Sequence, residues 1–182
     1  MPQAIGFGAA DAAIRVYVKN RPPLVEFQQL DTLLALDKEA IEKINAEAGN
    51  GWRKVFNVYA KWLFALHGAQ GMVGELESWQ QLRDQLLLRQ HSNTALLFST
   101  PEFDNQALHV IAGRTYAQEL AAQLALGINL IWLDKEFAVD QKNGVIVCPY
   151  FDYRQLSNIK IAKLCQLINE LLPSHTFGFA KD

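Results

Sequence analysis

The sequence is poor in the features that assign a chemistry outright. It has only two cysteines, Cys148 and Cys165, and both sit in apolar patterns. That argues against a disulfide scaffold and reads as reduced core thiols of a cytoplasmic protein. No stretch approaches the ~18 consecutive apolar residues of a membrane span. The opening "MPQAIGFGAADAA" has neither the basic flank nor the apolar run of a secretory signal. Charge of one sign is also missing: 17 Lys and Arg face 19 Asp and Glu, a net charge of −2. A protein bound to nucleic acid mainly through a basic surface is disfavoured, although a local patch fits within a neutral total.

The four histidines, His67, His91, His109 and His175, are scattered, and none is spaced with a second ligand as a zinc or iron site needs. There is no P-loop and no G-x-S-x-G elbow. "GFG" and "GAQGMVG" read as glycine loops, because neither stands in the strand-then-helix setting of a dinucleotide fingerprint. These absences speak against a metalloenzyme, a kinase-like enzyme or a serine hydrolase, and no cofactor is expected.

What is present is a core. Half of the 182 residues are hydrophobic, enough for one domain, 1–182, without staples. "IRVYVKN" predicts a strand over 14–20, stopped by Pro22 and Pro23. Asp37 caps a helix running to residue 48, and Gly49-Asn50-Gly51 breaks it. In "WRKVFNVYAKWLFAL" the residues Trp52, Val55, Phe56, Tyr59, Trp62, Leu63 and Leu66 recur at helical spacing on one broad apolar face. "HGAQGMVGE" ends that helix, and "LESWQQLRDQLLLRQ" predicts another with Leu76, Trp79, Leu82 and Leu86 inward.

"TALLFS" and "LHVIAG" are short apolar runs between turn residues, as strands buried on both faces would be. "RTYAQELAAQLAL" predicts a helix, and "INLIWLD" is open between strand and helix-to-strand passage. Asn143-Gly144 signals a tight turn into a strand at 145–148. Ser157 or Asn158 caps a last helix, with Pro173 beyond it, and the tail "SHTFGFAKD" has no period. The order predicts an α/β fold: a three-layer α/β/α sandwich around a mainly parallel sheet of about four strands.

In open α/β sheets ligands gather outside the carboxyl ends of the strands. Those ends carry Asn20, Ser99, Arg114 and the run Tyr150, Phe151, Asp152, Tyr153, Arg154. Each also has a plain structural reading. Asn20 can shape a turn, Arg114 with Thr115 can cap a helix, Asp152 and Arg154 can form a surface ion pair, and the aromatics can fill a satellite core. The functional reading requires that they share one edge and one hollow. Arg114, at a helix start, is also a candidate anion site for a small-molecule enzyme.

The segments "VYVKNRPP", "WRKVFNVYAKWL", "TALLFS", "HVIAGRTYAQ" and "VDQKNGVIVCPYFDYRQLS" follow one another in an order that resembles the uracil-DNA glycosylase superfamily. The resemblance is of order and character over most of residues 14–172. It implies a glycosylase-like fold and a nucleobase or nucleic acid, DNA above all, as ligand. It also implies Asn20 as the residue that positions water in an N-glycosylase-type hydrolysis, and a loop from Tyr150 to Arg154 suited to stacking, phosphate contact and wedging.

The departures fall on the chemistry. Lys19 precedes Asn20 where the family has a small or apolar residue, and Ser99 stands where the family reads the base with Asn. Cys148 replaces the His or Asn of the last motif, and Tyr150 replaces its Ser. Two functions therefore stand side by side: a divergent member that recognises a nucleobase or nucleic acid, and a non-catalytic protein-interaction or structural module of the same fold.

Overall fold

The computed structural model describes residues 3–69, 75–103 and 107–175. Among them one sheet carries eight strands: β1 (Gly6–Gly8), β2 (Ile14–Tyr17), β3 (Leu33–Leu34), β4 (Thr94–Leu97), β5 (Leu108–Ala112), β6 (Ile131–Trp132), β7 (Ala138–Asp140) and β8 (Val145–Cys148). Six helices accompany it: α1 (Val25–Gln28), α2 (Lys38–Ala48), α3 (Asn50–Ala69), α4 (Trp79–Gln85), α5 (Arg114–Ala121) and α6 (Asn158–Leu171). The spatial strand order is β3-β1-β4-β2-β5-β8-β7-β6.

The four strands read from apolar runs, β4, β2, β5 and β8, lie side by side and parallel at the centre. Every residue of β4, β5 and β8 is buried, which is why their sequences show no alternation.

The expectation of a mainly parallel sheet of about four strands is corrected at both flanks. On one side β1 pairs antiparallel with β4, and β3 adds to β1. "GFG", read as a loop, is that strand β1. A Cβ on Gly8 would lie 2.3 Å from the Thr94 carbonyl oxygen, and Gly8 holds φ at +115°, so only glycine lets the two backbones approach this closely. On the other side "INLIWLD" supplies β6, and "FAVDQKNGVIV" folds as the antiparallel hairpin β7–β8.

Its turn, at residues 141–144, is the expected Asn143-Gly144 signal, with Gly144 at φ +69°. Asp140, almost fully buried, secures it by accepting from Asn143 N at 3.2 Å, Asn143 Nδ2 at 2.7 Å and Asn129 N at 3.0 Å. The sheet is mixed because such short hairpin connections can only join antiparallel strands.

The two faces are covered unequally. Helices α2, α3, α4 and α6 bury one face in a core that contains Trp62, Phe56, Leu63 and Leu66 of α3. Burying side chains of this size contributes roughly 1.5–3 kcal/mol each. The Tyr59 hydroxyl ties α3 to the sheet by donating to the Ala95 carbonyl at 2.9 Å. The other face carries a smaller core, in which Ala117 and Leu120 of α5 pack on Tyr17, Leu97, Ile111 and Val147.

Helix starts follow their caps: Asp37 accepts from Ala40 N at 2.8 Å and Ser78 from Gln81 N at 3.2 Å. Ser157 is the N-cap position of α6, but its side chain makes no capping bond. The glycine-rich stretch over 70–74 and the tail from 176 lie outside the described residues. No helix among those described is long and apolar enough to cross a membrane.

Candidate functional site

Parallel strands deliver their carboxyl ends to one edge, so the loops after β2, β4, β5 and β8 all leave the sheet on the same side. Among the candidate residues on those loops, Ser99 lines one hollow and Tyr153 with Arg154 another. Asn20 is exposed beyond β2. Its neighbour Lys19 pairs with Glu119 at 2.8 Å, and Arg21 donates to the carbonyls of Phe27, Gln28 and Leu30, so this loop serves to pin α1. Arg114 opens α5 behind Gly113, donates to the Lys135 carbonyl at 2.9 Å and lies over the Trp132 ring at 5.3 Å. Ser99 accepts from Ile5 N at 3.0 Å and lines a cavity on the α5 side of the sheet.

The run after β8 turns the other way. Phe151 is fully buried and packs edge-on against Tyr59 and Trp62, with ring centroids 5.6 Å and 6.2 Å apart. Tyr150 packs half-buried on the same core, and burial followed by the nearby Asp152 charge raises its phenol above the ordinary range. Asp152 does not pair with the Arg154 guanidinium. Its Oδ1 accepts from the Arg154 backbone N at 2.9 Å, and its Oδ2 stands 3.8 Å from Lys54 Nζ of α3. The aspartate thereby shapes the turn and fastens it to the helix.

With Phe151 inside, Tyr153 is held outside at 49% exposure, between Lys54 at 4.8 Å and the Arg154 guanidinium at 5.8 Å from its ring. Tyr153 and Arg154 border a groove of about 340 Å³ whose other wall is α3, with Asn50, Arg53, Lys54, Asn57 and Lys61. Asn57 accepts from Arg83 at 2.9 Å, and Lys61 stands over the Trp79 ring at 5.1 Å. Four cations thus line one groove, against one lining-adjacent carboxylate, on a chain whose net charge is −2. This concentration is a local field that total charge conceals.

The sequence reading found Tyr153 and Arg154 but not the α3 wall. The signal was there: Arg53, Asn57 and Lys61 recur four residues apart, on the polar side of the helix whose other side is the core.

The family model that matches, over residues 5–169, is a family of unknown function, DUF6942. The chain belongs to DUF6942. Comparison with curated proteins and with solved structures finds no match. The DUF6942 match spans β1 through most of α6, so the groove and all of the Ser99 cavity except Gln3 and Ala4 lie inside it. No cluster of three or more His, Cys, Asp or Glu side chains able to hold a metal ion occurs among the described residues.

Proposed function

We propose that this DUF6942 chain is a divergent relative of the uracil-DNA glycosylases that grips single-stranded nucleic acid in the groove between α3 and residues 150–154, without excising a base. The observation that carries the reading is the convergence of Arg53, Lys54, Lys61 and Arg154 around a half-exposed Tyr153. Cations track phosphates, and an exposed ring offers a stacking platform to any unpaired base.

Support for binding without hydrolysis comes from Cys148, which stands where the family places a His or Asn. It is fully buried, and desolvation pushes its thiol far above the usual range, so it offers no donor of strength to a departing base anion. Both cysteines are free and buried, which suits a reducing compartment such as the cytoplasm.

The test is fluorescence anisotropy with labelled single-stranded, duplex and uracil-containing oligonucleotides over a salt series. Four phosphate contacts on a single strand give a slope of log K against log salt of about −3. Lys61→Ala with Arg154→Ala should roughly halve that slope. Absence of binding at low salt would end the proposal. A second reading, a protein-binding module of the same fold, draws on Tyr150 and Phe151 packing into the chain's own core rather than into an open cleft. It gains if a protein partner is captured by the wild-type chain while oligonucleotides are not.

A further inference from the structure

The groove between α3 and residues 150–154 does not stop at Lys61. The same lysine lines a second hollow, of about 360 Å³, set between the middle of α3 and the start of α6. Helical spacing builds its two walls. Lys61, Phe64 and Ala65 recur at i, i+3 and i+4 on one face of α3, and Asn158, Ile161 and Ala162 recur in the same way on one face of α6. Trp79, at the start of α4, closes a third side, with Lys61 Nζ 5.1 Å from its ring centroid.

The lining is carbon apart from two side chains. Lys61 carries its one charge and pairs with no carboxylate among the described residues, and contact with the Trp79 ring does not neutralise it. Asn158 is exposed, and its side-chain amide makes no hydrogen bond among the described residues. That amide holds a donor and an acceptor side by side. Past Ala65 and Ala162 the furrow continues to Gln166 and Glu170, where a carboxylate opposes any phosphate. The cationic track therefore ends at the second hollow.

A hollow of this makeup beside a phosphate track suits one unpaired base. The flat faces of the base lie against apolar walls, its phosphate stays with Lys61, and its polar edge meets the amide. Adenine presents a neighbouring donor and acceptor on its Hoogsteen edge, N6 and N7, and again on its Watson–Crick edge, N6 and N1. It also brings no carbonyl to be desolvated against carbon, whereas every other standard base brings at least one. We infer, resting on the nucleic-acid groove proposed above, that this second hollow selects an unpaired adenine on the strand that the groove holds. Asn158 sets the preference.

The test uses the full chain and fluorescence anisotropy at low salt. The probes are a labelled thymidylate hexamer, the same hexamer with one adenine at each position in turn, and unlabelled AMP as competitor. The best adenine placement should bind at least about fivefold tighter than thymidylate alone. AMP lacks the contacts along the groove and should compete at least about tenfold more weakly than that hexamer. Asn158→Ala removes the amide, and Ala162→Leu, also at an exposed helical position, fills the hollow. Each should bring the adenine-to-thymine affinity ratio to within about twofold of one. Thymidylate binding with no gain from any adenine placement, a preference that survives either variant, or AMP competing as well as the best hexamer would each overturn this inference and leave the groove reading standing. No binding of any hexamer would overturn both.

Discussion

Phe151 decides how the loop after β8 is read, because the same ring could serve a ligand or hold the loop. The structure puts it at 0% exposure with edge contacts to Tyr59 and Trp62. Truncating a fully buried phenylalanine to alanine costs about 3–5 kcal/mol in lost transfer energy and residual cavity. Each aromatic contact accounts for roughly 0.5–1.5 kcal/mol beyond area alone. Phe151→Ala should therefore lose about 4 kcal/mol in a urea titration followed by tryptophan fluorescence, with Trp62 as a neighbouring reporter.

Phe151→Leu keeps much of the volume and should lose no more than about 1.5 kcal/mol. Because the ring anchors Tyr153 and Arg154 from behind, Phe151→Leu should keep oligonucleotide affinity nearly intact under conditions where it is fully folded. A Phe151→Ala protein that loses less than about 1 kcal/mol, yet binds oligonucleotides poorly, would refute the reasoning and return the ring to the ligand.

The other predictions concern the scaffold. His67 is fully buried in α3, and desolvation lowers its pKa from 6.5 to about 4. Above pH 6.5 neither state is protonated and the group has no pH effect. As pH falls toward 4 the unfolded chain takes up a proton that the folded one refuses, so stability drops by up to about 3 kcal/mol. His67→Leu should flatten that part of the curve, and parallel curves for the two proteins would show that another group is responsible. Gly8→Ala places a Cβ against the Thr94 carbonyl at positive φ, and chemical denaturation should show a loss of about 2 kcal/mol or more. Gly51→Ala, in α3 with nothing within 4 Å of the added carbon, should instead gain about 0.5–1 kcal/mol. Asp140→Ala leaves Asn143 and the Asn129 N–H without their acceptor, and should cost about 2–3 kcal/mol in the same assay.

The sequence by itself determined the elements whose stability is local or whose burial is complete. The period of apolar residues in α3 and α6, the cap at Asp37, the turn at Asn143-Gly144 and the uniform apolar runs of β4, β5 and β8 were all legible. Each is dictated by nearest neighbours or by burial on both faces. Tertiary structure decided the rest. "GFG" becomes a strand only because the β4 backbone offers it an edge at a distance glycine alone tolerates. "INLIWLD" pairs only because β7 has already turned back along β8.

The candidate site divided for a related reason. A strand end fixes which edge of the sheet a loop leaves by, but the packing of one side chain fixes which face the loop then covers. Phe151, drawn under α3, carried Tyr153 and Arg154 toward Arg53, Lys54 and Lys61, while Ser99 stayed with Tyr17 across the sheet. Spacing along a chain encodes the first of these choices. Only three-dimensional packing encodes the second, because it depends on residues about ninety positions apart competing for the same core.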